Sequence, residues 1–139
     1  MPRPPYSSLV IKIGSSVITN DQGLLYRETV AHLVRQIAAL RKHNVHVILV
    51  SSGAMACGCA ALEKKKIPKD TAGRQVLAAV GQVRLMDVYN ELFAEHDLTC
   101  AQVLLTKENF RTRDQYSNIQ NCFDELIRKN IIPIVNEND

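Results

Sequence analysis

Four short apolar runs alternate with stretches of helical periodicity, and this alternation limits the fold more than any other feature of the chain. The runs are Leu9 to Ile13, Val45 to Val50, Thr99 to Leu105 and Ile131 to Val135. Each has the length of a strand. Their mostly apolar character suits strands covered on both faces, as in a parallel sheet. Between the first two, Val30, Leu33, Val34, Ile37 and Leu40 recur at helical spacing from Arg27 onward, and the helix stops near His43-Asn44. A second helix is expected over Met55 to Leu62. A third, long one is capped by Asp70 or Thr71, runs through Leu77, Leu85 and Phe93, and closes at His96-Asp97. A fourth covers Tyr116 to Lys129 and buries Ile119, Phe123, Leu126 and Ile127. Strand, helix, strand in this order predicts right-handed βαβ units and an α/β fold.

Three of the runs end in a compact polar cluster: Lys12 to Ser16, Ser51 to Gly53, and Asn136 to Asp139. In open α/β sheets ligands bind outside the carboxyl ends of the strands, so three such ends mark one sheet edge as the site. Lysine is rarely buried without a partner. Lys12, placed in a strand expected to be buried and followed at once by Gly14-Ser15-Ser16, therefore suggests a cation and backbone N–H groups converging on a phosphate. Ser52 and Gly53 are expected at a helix N-terminus.

Length and composition narrow the classes. The chain of 139 residues is sized for one domain with a real core. A net charge of +3, with acidic residues interleaved among the basic ones, is too mild to argue for nucleic acid. The absence of Trp leaves little for stacking on single strands. Cys57, Cys59, Cys100 and Cys122 show no C-x-x-C spacing and read as buried small residues in a reducing compartment. Met1 to Ser8 is a proline-rich lead-in unlike a signal peptide, Lys64 to Pro68 is an exposed loop, and no apolar run reaches membrane-spanning length. A cytoplasmic protein is expected.

Rival motifs are missing. The sequence holds no G-x-x-x-x-G-K-[ST], no G-x-G-x-x-G after the first strand and no G-x-S-x-G. His32, His43, His46 and His96 are scattered, and no metal cluster assembles from them. What remains is a basic, glycine-containing turn on one side and a carboxylate-and-amide cluster on the other. Phosphoryl transfer asks for this division, because its catalysis is mostly positioning and charge neutralisation. Lys12 would stabilise the transferring group, the Gly14 and Gly53 amides would cradle it, and Asp139 with Asn136 and Asn138 would hold a cationic amine on the acceptor.

Several stretches resemble the glutamate 5-kinases of the amino acid kinase superfamily. They are Val10-Ile11-Lys12-Ile13-Gly14-Ser15-Ser16, Val50-Ser51-Ser52-Gly53-Ala54 and Leu77-Ala78-Ala79-Val80-Gly81-Gln82, then Gln102 to Thr106, Tyr116-Ser117-Asn118 and Ile132 to Asp139. The resemblance covers nearly the whole chain from Leu9 onward, in the family's order. It implies a three-layer αβα sandwich with a mainly parallel central sheet. The activity it implies is ATP-dependent phosphorylation of the L-glutamate side-chain carboxylate, the first step of proline synthesis. By the same resemblance Lys12 is the catalytic, ATP-phosphate lysine, with Gly14, Ser15 and Gly53 also at the phosphates. Ser52, Gly53, Asn136 and Asp139 bind glutamate. Mg²⁺, feedback inhibition by proline and a homo-oligomer are implied too, with no role for nucleic acid or membrane.

The family's kinase domain is considerably longer than 139 residues. Residues 1–139 are therefore expected to be the N-terminal, amino-acid-binding part of such a domain, without its nucleotide-binding half, and inactive or nearly so alone. The alternative is a non-catalytic lobe that binds glutamate or mediates oligomer contacts through the Thr71 to Glu95 helix.

Overall fold

The helical stripe that begins at Arg27 closes as expected in the computed structural model, which describes residues 5–62 and 67–136. Met1 to Pro4, the basic Lys64 to Lys66 and Glu137 to Asp139 lie outside the described residues, and with them the expectations placed on Asn138 and Asp139. In chain order the elements are β1 (Ser8–Ile13), α1 (Ser15–Ile18), α2 (Arg27–Lys42), β2 (His46–Ser51), α3 (Ala54–Ala61) and α4 (Thr71–Ala94). They continue with β3 (Thr99–Val103), a 3₁₀ turn over Lys107–Phe110, α5 (Arg113–Arg128) and β4 (Ile131–Asn136).

Local chemistry sets several of these ends. The Asp70 side chain accepts from the Gly73 N–H at 2.8 Å and caps α4. The Thr112 side chain accepts from the Gln115 N–H, so α5 begins a few residues before Tyr116. Asn44 and Asn130 take positive φ where α2 and α5 hand over to strands, a conformation asparagine tolerates.

The four strands form one sheet in the order β1-β2-β4-β3, and every pairing is parallel. The connections from β1 to β2 and from β2 to β3 advance across the sheet in one direction, and the connection from β3 to β4 comes back. Because such crossovers are right-handed, the first two lay α2, α3 and α4 on one face, and the return lays α5 on the other. The result is the expected three layers. The core lies between the first face and its helices: Ile13, Val47, Leu49, Ile132 and Ile134 of the sheet meet Val30, Val34, Ile37, Leu85, Tyr89 and Phe93.

Four expectations need correction. First, β1 is not covered on both faces. Among the described residues it is an edge strand with alternating burial, in which Ile13 is buried while Val10 is 69% exposed and Lys12 is exposed. The alternation puts Lys12 on the side away from α2, so burial is not what gives this lysine its meaning. Second, α5 rests mainly on β4 and holds no fully buried residue. Ile119, Phe123, Leu126 and Ile127 are only half-buried, and an apolar cleft of about 470 Å³ separates α5 from Val10 and Ile48. Third, Cys57 alone of the cysteines is buried, and burial pushes its thiol up to about 11. Cys59 and Cys100 are half-buried, and Cys122 is exposed because it falls off the stripe by which α5 meets the sheet. Fourth, the Gly-Ser-Ser stretch is not an open turn. Ser15 to Ile18 winds into one helical turn, and the Thr19 hydroxyl donates back to the Ser15 carbonyl at 2.9 Å.

Candidate active site

The strand order makes neighbours of the three ends that carry polar clusters. β1, β2 and β4 lie side by side, with Ile13 opposite Ser51 and Ser51 opposite Asn136. Adjacent strands are about 4.8 Å apart, so the three ends fall within about 10 Å of one another. Lys12, Gly14, Ser15, Ser52, Gly53 and Asn136 all come to this edge. Asp139 lies outside the described residues.

The first two clusters are tied together. The Ser52 N–H donates to the Ile13 carbonyl at 3.0 Å, joining the end of β2 to that of β1. Gly53 has φ +109°, in the left-handed region that favours glycine. A Cβ there would also stand 2.7 Å from Cδ1 of Ile18, which α1 buries completely. The glycine thus lets α1 settle over the start of α3. Gly53 rather than Ser52 is the N-cap of α3, and no side chain caps that end. Ser52 and Gly53 thus stand at a helix N-terminus, as expected. Gly14 is different: its φ is −75°, and an added Cβ would meet nothing within 4 Å. Space is open beside it, next to the exposed Ser15 and Ser16.

Beneath this edge lies a contact that sequence reasoning did not find. Ser51 and Tyr89 are buried, with the Ser51 hydroxyl 2.7 Å from the Tyr89 hydroxyl and 3.0 Å from the Ser52 carbonyl. One hydroxyl has one proton. If Ser51 donates to the carbonyl, Tyr89 must donate to Ser51. Burial pushes the Tyr89 hydroxyl up, which keeps it a donor. A helix far along the chain therefore holds the turn that carries Ser52 and Gly53. Tyr89→Phe, measured by urea unfolding, should cost about 1 kcal/mol, the usual worth of a neutral buried hydrogen bond. Unchanged stability would remove this role.

The third cluster meets α4. The Asn136 side-chain amide donates to the Gln82 carboxamide oxygen, and both residues line a cavity of about 360 Å³. Gln75, Ala78, Ala79 and Gln102 line the same cavity. The signal for Gln82 was present in the sequence. Gly73, Leu77, Gly81, Leu85, Tyr89 and Phe93 form an unbroken i, i+4 stripe of buried residues, and Gln75, Ala78, Ala79 and Gln82 sit beside that stripe.

Among the described residues no group of three or more His, Cys, Asp or Glu is placed to hold a metal ion. The implied Mg²⁺ finds no ligand set in them, and they contribute no step through it. Among the described residues no helix is long and apolar enough to cross a membrane.

Comparison with known proteins agrees with the geometry. Residues 7–139 match the amino acid kinase family. A glutamate 5-kinase of Chlorobaculum tepidum is 46% identical over 138 residues, 98% of this chain and 38% of that protein. One of Clostridium acetobutylicum is 47% identical over 131 residues, 94% of this chain and 49% of that protein. The chain thus spans less than half the length of these relatives. Among solved structures, the carbamate kinase of Giardia superimposes with a TM-score of 0.58 at 14% identity, over 96% of this chain and 60% of that one. The isopentenyl phosphate kinase of T. acidophilum gives 0.55 at 14% identity, over 94% and 56%. At such identity the likeness is one of fold, and it is the same parallel sheet with helices. With nearly all of its length matched and its polar strand ends gathered on one edge, the chain belongs to the amino acid kinase family.

Proposed function

We propose that this chain carries the acceptor side of an ATP-dependent kinase that phosphorylates the side-chain carboxylate of L-glutamate. The supporting observation is the register Ile13–Ser51–Asn136, which sets a cationic turn, a buried serine-glycine turn and an amide side by side. The 46% and 47% identity to glutamate 5-kinases supports glutamate as the acceptor. A carboxylate oxygen of glutamate attacks the γ-phosphorus of ATP in line, the bond to the β,γ-bridging oxygen breaks, and ADP leaves with that electron pair. An acyl phosphate is the product, the first intermediate of proline synthesis.

Each residue has a physical task in this reaction. The Lys12 ammonium opposes charge on the equatorial phosphoryl oxygens, and the Gly14, Ser15 and Gly53 backbone N–H groups approach the phosphates. Ser52 and Asn136 hydrogen-bond glutamate, and the Asp139 carboxylate holds its ammonium. Mg²⁺ would enter with the nucleotide phosphates. We place the enzyme in the cytoplasm as a homo-oligomer.

The test is L-glutamate-dependent ADP release by the intact protein, with the acyl phosphate trapped as its hydroxamate. Trapped product is expected, and ATP turnover indifferent to glutamate would overturn the reading. Glutamate binding without turnover would favour the non-catalytic lobe instead. Within the kinase, Asp139→Ala should raise the KM for glutamate about tenfold or more with little change for ATP, the usual worth of a charge-assisted hydrogen bond. An unchanged glutamate KM would take Asp139 out of the acceptor site.

A further inference from the structure

The Gln82–Asn136 pair is incomplete in a way that describes its ligand. Each amide spends one group on the other, and the groups left over, the Gln82 amide nitrogen Nε2 and the Asn136 oxygen Oδ1, are buried with no hydrogen-bond partner among the described residues. Buried polar atoms are nearly always paired, so two orphans on residues that line one cavity point to a guest that pairs them. Turning both amides over exchanges their roles and still leaves one donor and one acceptor. The guest must therefore offer an acceptor and a donor close together. The cavity, about 360 Å³, is within the range of small-molecule sites.

We propose that Gln82 is a specificity-determining residue that, with Asn136, receives the α-carboxylate and α-ammonium of the acceptor amino acid. The assignment rests on the kinase reading above and adds to it a side chain from α4. An α-amino acid head group carries an anionic acceptor and a cationic donor on one carbon, which matches the pair. Gln82 donates to the α-carboxylate and Asn136 accepts from the α-ammonium. The end of β4 then reads the part of the substrate that does not react, and the side-chain carboxylate is left for the Lys12 side of the edge. Gln82 reaches this place because Gly81, the residue before it, lets α4 approach α3 at backbone contact.

The experiment compares two acceptors in the intact protein: L-glutamate, and 4-aminobutyrate, which keeps the amine and the reacting carboxylate but has no α-carboxylate. Gln82→Ala should lower kcat/KM for L-glutamate about tenfold or more, mostly through KM, and leave 4-aminobutyrate nearly unchanged. Gln82→Glu keeps the size and replaces the donor by a negative charge, so it should lower L-glutamate turnover further and spare 4-aminobutyrate. Melting temperatures read alongside show whether each variant is folded. Equal losses on both acceptors in folded variants would mean a structural role and overturn the proposal, as would an undiminished preference for L-glutamate. A wild-type protein that phosphorylates neither acceptor would instead overturn the kinase reading and this assignment with it.

Discussion

Lys12→Ala should lower kcat for glutamate phosphorylation by about 10²-fold or more in the intact protein, with little change in melting temperature. Both halves of this expectation follow from where the lysine stands. It is the next-to-last residue of β1, on the face away from α2 and α4, so among the described residues shortening it leaves no cavity in the core. Its value then lies in its charge. In phosphoryl transfer the protein supplies little covalent chemistry, and removing one preorganised partner of the developing charge costs about 10²–10³ in kcat. Lys12→Arg keeps the charge and changes its shape, and should fall between wild type and alanine. Steady-state ADP release at saturating ATP and glutamate measures this. A near-normal kcat for Lys12→Ala would end the role given to this residue. A folded, slow Lys12→Ala whose KM values are close to wild type would place the loss in the transition state.

The misplaced burial of Lys12 shows which part of the fold local pattern can carry. Strands and helices were legible because their signals are local. The α2 stripe, the Asp70 cap and the apolar run ending at Ser51 are each visible within a dozen residues. Which strand lies at the edge is decided by crossovers that span the chain, and Leu9 to Ile13 looks the same in the middle of a sheet as at its margin. For the same reason α5, expected to bury its apolar face, reaches β4 and leaves Val10 open. The one-turn α1 was hidden because serine and glycine read as turn, whereas the packing of Ile18 over Gly53 and the Thr19–Ser15 hydrogen bond favour a helix there.

The candidate site was legible where a strand ended in polar residues. It was not legible where a helix supplied the residue. Tyr89 reads as core from its spacing, and its hydroxyl acquires a role only because Ser51 lies beneath the β2–α3 turn. Gln82 closes the Leu77 to Gln82 stretch that carries the resemblance, yet its partner Asn136 is visible only once β4 is placed between β2 and β3.

Gly81→Ala puts the α3–α4 contact to the test, and it should destabilise the protein by about 2 kcal/mol, although alanine is the better helix former. In a helix interior the exchange alone favours alanine by about 1 kcal/mol. Against it stands the approach of α3. A Cβ on Gly81 would lie 1.6 Å from the Ala54 carbonyl oxygen and 2.5 Å from the Gly58 nitrogen. These are backbone atoms, so no rotamer change relieves the clash and the helices must part. Overpacking of this kind costs about 1–3 kcal/mol, occasionally more, and a backbone contact belongs at the upper end, so the cost exceeds the propensity gain. Gly58 faces the same seam from α3, where a Cβ would meet the Leu77 carbonyl at 2.0 Å. Once Gly81→Ala has forced the helices apart, adding Gly58→Ala should cost less than it does alone. Urea unfolding followed by circular dichroism measures both variants, and a Gly81→Ala protein as stable as wild type would mean that α3 and α4 do not meet at backbone contact. Because Ala54 follows Gly53 and Gln82 follows Gly81, parting the helices should also raise the KM for glutamate in the protein that still folds. Gly81 then serves two ends at once, closing the α3–α4 seam and setting Gln82 over the end of β4.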